Sequence, residues 1–389
     1  MKRDPVIVSA VRTPIGRQGG AFASIQAHEL GAIALKEAIA RINLEVESIE
    51  DVIFGNVIGG GGNIARLTAL QAGLPLSIPG LTIDRQCGSG LNAINLAAQA
   101  IKAGDGDVYV VGGAESMSQA PYLMAKPSKP YSTMPPKFMK SRLSPDEIGD
   151  PPMGITAENL AEKYHISREE QDEFAKRSQE RMGIAMAEGY FESQIAPVSV
   201  PVRKGNPIVV SKDEHPRPET TLEKLASLPA VFKQGGSVTA GSSSGLNDAA
   251  SAIVIMARGK AEELGLKPLA VVKGYAVSGV DPNIMGIGPV PATQKVMEQT
   301  GFTLDQMDIV EINEAFAAQV LACDRELKMN HEKVNVNGGA IAHGHPLGAT
   351  GAILATKAVY ELERRDGKYA LITACIGGGQ GIATILERV

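Results

Sequence analysis

The sequence predicts a layered α/β protein in which one structural half occurs twice, with a long irregular insertion in the first copy. Two observations carry this. Short apolar stretches alternate with amphipathic ones from Val6 onward, the pattern of strands and helices stacked around a largely parallel sheet. Residues 81–113 and 334–374 also share one grammar: a strand, a chemically active side chain on a turn, a glycine three residues later, a helix, then a buried strand. Setting Cys87 opposite His345 sets 107–111 opposite 370–374.

Taken in order, residues 6–10 (VIVSA) read as a strand and 27–40 as an amphipathic helix. The stretch 49–57 reads as a helix end and a strand, 59–62 is a glycine run, and 63–72 is helical. A glycine run between strand and helix can cradle a phosphate on backbone N–H groups. Here the Gly-Lys-Ser/Thr ending of a phosphate-binding loop is missing, which argues against that use. Leu81-Thr82-Ile83 is β-prone, and apolar residues at Leu91, Ile94, Leu96, Ala97, Ala98 and Ile101 predict a helix after Cys87.

Residues 121–152, broken by Pro121, Pro127, Pro130, Pro135, Pro136, Pro145, Pro151 and Pro152, predict an insertion without regular elements. A helical region is expected over 156–188, with capping boxes at Thr156–Asn159 and Ser167–Glu170. Strand-like pieces at 195–210 and a turn with a short helix at 216–232 follow. Residues 247–258 read as a helix passing into a strand, and 268–277 open the second half. There a helix is expected near 293–300, a strand at 309–312 and a helix at 315–327. The His345 turn with its helix comes next, then a strand leading to Cys375 on a glycine turn. The expected organisation is 1–116 with 247–267 as the N-terminal half, 117–246 as a loop domain over the site, and 268–389 as the C-terminal half. No linker rich in serine and proline separates the halves, so they are expected to pack face to face.

Composition narrows the function. In 389 residues, 44% hydrophobic and 21% charged, there is ample core for a globular protein. A net charge of −5 without a basic block argues against a nucleic-acid partner. No apolar run approaches the ~18 residues of a membrane helix, and the opening Met-Lys-Arg-Asp-Pro lacks a signal-peptide core. A cytoplasmic protein without membrane association is expected. Three cysteines do not make a disulfide framework and suit a reducing compartment, where thiols do chemistry.

Cys87 is predicted at a helix N-terminus, where free N–H groups and the helix dipole favour the thiolate and lower a thiol pKa from about 8.5. A small buried hydrophobe is the equal alternative on this stretch alone. His345, with an ordinary pKa of about 6.5, is a candidate proton acceptor. Cys375 is either an acid/base or a buried apolar residue, and Cys323, inside a helical pattern, reads as the latter. Asn313 precedes a helix, where asparagine commonly caps. His343 with His345 does not make a metal site, because no nearby cysteine or carboxylate completes a shell.

Cys87-Gly-Ser-Gly-Leu, Asn313-Glu-Ala-Phe-Ala, Gly344-His-Pro-Leu-Gly and Cys375-Ile-Gly-Gly-Gly-Gln-Gly together resemble the four active-site motifs of the thiolase family. Gly112-Gly-Ala-Glu-Ser-Met-Ser, Met153-Gly-Ile-Thr-Ala-Glu and Thr239-Ala-Gly-Ser-Ser-Ser-Gly-Leu-Asn-Asp extend the likeness, which runs from Val6 to the end. It implies the thiolase fold, a duplicated five-layered αβαβα core with an inserted loop domain. It implies an acyltransferase, and the expected reaction is the reversible Claisen condensation of two acetyl-CoA to acetoacetyl-CoA through an acyl-cysteine. The alternatives are a 3-ketoacyl-CoA thiolase of fatty-acid β-oxidation and a non-condensing acyl-CoA or lipid carrier; a cysteine hydrolase is weaker, since it leaves the Cys375 motif without work.

The likeness also assigns roles. Cys87 is the nucleophile, His345 its base and Cys375 the acid/base at the α-carbon. Thioester exchanged for thioester suits a cysteine. The N–H groups of Cys87 and Gly377 form one oxyanion hole, and His345 with a water held by Asn313 forms the other. Met153, Ser244, Met285, Ala315 and Phe316 contact the substrate. No cofactor is permanently bound, coenzyme A thioesters are the substrates, and a homodimer or homotetramer is expected. Biosynthetic members usually carry His-Met-Gly where Pro152-Met153-Gly154 stands, and an arginine contacting CoA where Pro229 stands; Asp84 and Asn92 also replace other polar residues.

Overall fold

A computed structural model describes residues 2–127, 129, 131 and 134–389, so Ser128, Pro130, Ser132 and Thr133 of the proline-rich stretch lie outside the described residues. The chain begins β1 (Pro5–Arg12), β2 (Gly16–Arg17), α1 (Ala27–Ala40), β3 (Asp51–Gly55), α2 (Ile64–Gln71), β4 (Gly80–Ile83), α3 (Ser89–Ala103) and β5 (Val108–Ser116). After the proline-rich stretch come α4 (Met153–Lys163), α5 (Arg168–Ala187), β6 (Val198–Val200), β7 (Ile208–Val210) and α6 (Leu222–Ala226). Then follow β8 (Asn247–Ala257), α7 (Arg258–Glu263), β9 (Ala270–Gly279), α8 (Pro289–Thr300), β10 (Ile309–Ile312) and α9 (Ala317–Leu327). The chain closes with α10 (Ala340–His343), α11 (Leu347–Arg364), β11 (Tyr369–Ile376) and β12 (Gln380–Arg388).

The strands run in the orders β4-β3-β5-β8-β1 and β10-β11-β12-β9, joined where Val6 and Ile7 of β1 pair with Val271 and Ala270 of β9. The same topology occurs twice. The pairs β3–β5 and β10–β11 are parallel, and the next two pairs in each set are antiparallel. Even β4, parallel to β3, has a counterpart in the parallel bridge of Val334 to Val310 beside β10.

Strand alternation makes five layers. On β8, Ala250, Ala252, Val254 and Met256 pack outward with α1 and α2, while Ile253, Ile255 and Ala257 face inward onto α3 and α11. On β11, Ala370, Ile372 and Ala374 meet the same two central helices from the other side, while Leu371 and Cys375 face α8 and α9. The order is helices, sheet, the central pair α3 and α11, sheet, helices. Successive side chains point to opposite faces of a strand, so a strand covered on both sides reads as continuously apolar.

Four expectations are corrected. The sheet is mixed rather than largely parallel, because a turn of three glycines returns β11 directly as β12, and the long excursion after β5 returns as β8 beside it. Residues 247–257 form one strand without a preceding helix, their alanines belonging to a period of two. The helix expected from Thr156 starts at Met153 behind Pro152, and Thr156 Oγ1 donates to Met153 O at 2.6 Å instead of capping. The second box does form, with Ser167 and Glu170 bonding reciprocally at 3.1 and 2.8 Å. Cys375 lies inside β11, ahead of the glycine turn rather than on it. Among the described residues no helix is long and apolar enough to cross a membrane.

Candidate active site

The candidate residues gather where the parallel strands end. Cys87 follows β4, Asn313 follows β10, Cys375 is the penultimate residue of β11, and Gly377 begins the turn after it. His345 stands two residues before α11. In open sheets of this kind, the carboxyl ends of parallel strands are where loops are free to build a site.

The turn carrying Cys87 is tight. Gln86 adopts a left-handed φ of 43°, unusual for a residue with a side chain. Asp84 holds it there, accepting from the Gln86 backbone N–H at 2.8 Å and its side-chain amide at 3.0 Å. Glycines explain how the two central helices meet. A Cβ on Gly55 or Gly90 would stand 2.5 or 2.8 Å from the carbonyl oxygen of Gly348, and one on Gly113 would overlap it. The starts of α3 and α11 therefore touch backbone to backbone, which brings their two turns into one site.

The Cys87 sulfur faces the backbone N–H of Gly377 and its own N–H. The sequence led us to expect a depressed thiol pKa. The opposite holds: burial pushes Cys87 up to about 11, outweighing those N–H groups, and the carboxylates of Glu115 and Asp84 add to the rise. The resting group is a neutral thiol that needs a base. Cys375 is fully buried and its thiol is pushed well up, by burial first and then by the neighbouring Cys87 and Cys323. Cys323 is also buried, with its Sγ donating to Gly286 O at 3.2 Å, so its thiol is occupied in the packing beneath the site.

His345 is buried, and desolvation pushes it down to about 4. Its orientation is fixed on three sides. Thr350 Oγ1 donates to Pro346 O at 2.9 Å, which leaves the hydroxyl oxygen to accept from His345 Nδ1–H at 2.7 Å. Nε2 is then the bare nitrogen, and it accepts from Asn313 Nδ2 at 3.3 Å. The His345 backbone N–H donates to Asn247 Oδ1 at 2.9 Å. Asn313 Oδ1 is buried with no hydrogen-bond partner, so this acceptor is left for a donor such as a water. His343 is turned to a different task, its Nδ1 bonding Gly344 O at 2.8 Å.

The remaining predicted residues form a wall and a cleft. Met285, Ala315, Phe316 and Cys375 belong to one buried cluster, with Met153 packed against it. The Met153 sulfur lies 3.7 Å from where a Cβ on Gly377 would stand, and Leu143 of the proline-rich stretch reaches the same point at 3.0 Å. Ser244 N–H donates to Ala315 O at 3.0 Å, laying the 239–245 loop along the Asn313 segment. Phe316 meets Phe232 edge-on at 5.9 Å, and the Phe232 ring sits on Gly154. Beside this loop opens a cavity of about 440 Å³ lined by residues including Gln179, His215, Arg217, Lys224, Ser243 and Gly245.

A thiol at a donor pair, a neutral buried imidazole, a second thiol and an apolar wall make an acyl-transfer arrangement. Models of the thiolase N-terminal and C-terminal domains match residues 5–259 and 266–388. The chain belongs to the thiolase family. An acetyl-CoA acetyltransferase of Pseudomonas aeruginosa is 48% identical over 391 residues, covering 99% of this chain and 100% of that one. A 3-oxoadipyl-CoA/3-oxo-5,6-dehydrosuberyl-CoA thiolase of Escherichia coli is 49% identical over 400 residues, covering 100% of both. Among solved structures, the Bacillus anthracis acetyl-CoA acetyltransferase superposes with a TM-score of 0.95 at 45% identity, covering 99% of each chain. Human mitochondrial 3-ketoacyl-CoA thiolase in complex with CoA gives 0.93 at 43%, covering 100% of this chain and 98% of that one. This thiolase is accordingly an acyltransferase of a family that uses CoA thioesters.

Sequence reasoning missed several residues that shape the thiolase site. Glu115 was visible as an acid inside the apolar strand VYVVGGAES, a position where a charge demands partners. Asn247 and Thr350 sat inside or beside quoted motifs without a role. Leu143 gave no signal, since irregular proline-rich chain has no period to read.

Proposed function

We propose that this thiolase is an acetyl-CoA C-acetyltransferase, reversibly joining two acetyl-CoA into acetoacetyl-CoA and CoA. His345 Nε2 takes the Cys87 proton as the sulfur attacks the acetyl thioester. The C–S bond to CoA breaks, and the departing CoA thiolate takes the proton of Cys375. Cys375 thiolate then removes a proton from the α-carbon of a second acetyl-CoA, and that carbon attacks the acetyl group on Cys87. The Cys87 thiolate leaves and recovers its proton from His345. The enzyme is restored: the Cys87 proton returns through His345, and the α-carbon proton replaces the one Cys375 gave to CoA, which leaves as the free thiol.

The observation that carries this reading is a second, fully buried thiol, Cys375, beside Cys87. A thiol hard to ionise makes a strong base once it has given its proton away, which suits a weakly acidic α-carbon. The Gly377 and Cys87 N–H groups are read as the hole for the first thioester oxygen, and protonated His345 with a water held by Asn313 as the hole for the second. The CoA arm is read into the cleft beside Ser244, where Arg217 and Lys224 offer positive charge to its phosphates. Residues 117–246 are read as a loop domain covering the site.

The wall of Met153, Met285 and Leu143 favours a short acyl chain. A second reading has a specific support: a relative of equal similarity is named for 3-oxoadipyl-CoA, whose acyl chain is longer and ends in a carboxylate. The test compares thiolysis of acetoacetyl-CoA, 3-ketohexanoyl-CoA, 3-ketooctanoyl-CoA and 3-oxoadipyl-CoA. An open pocket gains up to ~0.8 kcal/mol per added methylene, whereas a closed one turns it into a clash. Catalytic efficiency is expected to fall along the unbranched series; a steady rise, or a preference for 3-oxoadipyl-CoA, overturns the short-chain reading. The working form is proposed to be a cytoplasmic homodimer or homotetramer. Leu67, Leu70, Leu76 and Leu81, exposed around the free edge of β4, support self-association. Light scattering showing a monomer contradicts it.

A further inference from the structure

Glu115 takes no part in the proton transfers above, yet it is fully buried between the two turns that carry them. Its carboxylate is saturated by donors from both halves of the molecule. Oε1 accepts from Asn56 Nδ2 at 2.9 Å and from Ile58 N–H at 3.2 Å. Oε2 accepts from Val57 N–H at 3.0 Å and from Gly348 N–H at 2.9 Å. The last bond matters most, because Gly348 is the second residue of α11, three residues after His345. Pro346, at the N-cap of that helix, supplies no side-chain cap. A carboxylate on β5 thus does for α11 what a cap would do, at the positive end of its dipole. The other side of the same turn is tied by Asn247 to His345 N–H.

We propose that Glu115 is a positioning residue joining the two halves of the site: as a carboxylate it fixes the amino end of α11, and so His345, against the strands of the other half. Its charge also adds to the rise of the Cys87 thiol, behind burial. The acylation part rests on the reading of Cys87 as the nucleophile; the charge part does not. Besides His345, its base in the reading above, Cys87 is faced by Glu115 from β5, Asp84 from its own turn and Cys375 from β11. Asp84 also faces Glu115. Burial pushes Glu115 itself up to about 7, against the pull of the Gly348, Ile58 and Val57 N–H groups. Its charge is therefore within reach of titration near neutrality.

The test replaces the carboxylate by an amide of the same shape. Glu115→Gln turns one of two acceptor oxygens into a donor, which must face either the Asn56 and Ile58 donors or the Val57 and Gly348 N–H groups, and it removes the charge. Two readouts are taken: the pH dependence of Cys87 alkylation by iodoacetamide, located by peptide mass spectrometry, and the single-turnover rate of Cys87 acylation by acetyl-CoA. In the variant, alkylation is expected to shift to lower pH. Acylation is expected to slow by about 10- to 100-fold, the scale of a misplaced reacting group, with the KM for acetyl-CoA within about twofold. Glu115→Asp keeps the charge, so its alkylation profile should match the parent while acylation slows.

An unshifted alkylation profile in Glu115→Gln overturns the proposal, as does acylation at the parent rate. If the amide variant does not fold, Glu115→Asp decides: parent acylation or a shifted profile overturns the proposal. If the parent protein itself forms no acyl-cysteine, the function reading fails, and the alkylation arm still judges the charge effect.

Discussion

Thr350→Val isolates the hydrogen bond that decides which nitrogen of His345 is the base. Valine is close to threonine in size, so the buried position stays filled and the hydroxyl is what is lost; Pro346 O, which that hydroxyl also served, keeps the Ala349 and Thr350 N–H donors. In the parent, His345 Nδ1–H lies 2.7 Å from Thr350 Oγ1, whose own proton is committed to Pro346 O at 2.9 Å. Without that oxygen the imidazole N–H is buried and unpartnered, a penalty of about 1 to 3 kcal/mol. The ring escapes it by moving its proton to Nε2, and then it no longer has a lone pair there for the Cys87 proton. At 1.36 kcal/mol per tenfold, the active tautomer and the rate fall by about 5- to 150-fold. The assay is rapid-quench acylation of Cys87 by acetyl-CoA with the acyl peptide quantified by mass spectrometry. Thr350→Ser, which restores an acceptor, should recover to within a few-fold. Acylation of the valine variant at the parent rate would refute the assignment of Nε2 as the base.

Three further outcomes follow from the same geometry. Cys375→Ala should still take an acetyl group onto Cys87 but neither condense nor exchange α-protons with deuterated water; exchange at the parent rate assigns that proton transfer elsewhere. Burial lowers His345 to about 4, so its base form persists as the pH falls, and the acid limb of Cys87 acylation should lie below pH 6; a limb centred at about 6.5, the ordinary histidine value, contradicts this. Gly113→Ala would drive a methyl into the Gly348 carbonyl at the contact between the halves. Denaturant unfolding should show a loss of about 3 kcal/mol or more, the upper range for overpacking a rigid core, and a loss under 1 kcal/mol would mean the contact yields.

Much of this was readable because local signals agreed with the global pattern. The strand 309–312 lies where its apolar run put it, and Cys87 and His345 do open the two central helices. The duplication, inferred from one pair of turns, is matched by the strand order of both halves. Three things were not readable. The alanine-rich stretch 247–257 carries both a helix-like and a strand-like pattern, and only its pairing with β5 and β1 resolves it. The Cys87 thiol was misjudged because a helix N-terminus is visible in sequence, whereas burial and a carboxylate from another strand are not. Glu115 and Asn247 act across 233 and 98 residues of sequence, and no local period reports such a bond.

The central claim is that acyl groups pass through Cys87. The most direct measurement mixes the protein with acetoacetyl-CoA and free CoA, follows acetyl-CoA, and quenches the mixture during turnover for peptide mass spectrometry. The account predicts two acetyl-CoA for each acetoacetyl-CoA consumed, an acetyl group on the Cys87 peptide, and loss of both in Cys87→Ala. Acetyl-CoA formed with Cys87 unmodified, or an acyl group found on Cys323 alone, would contradict it.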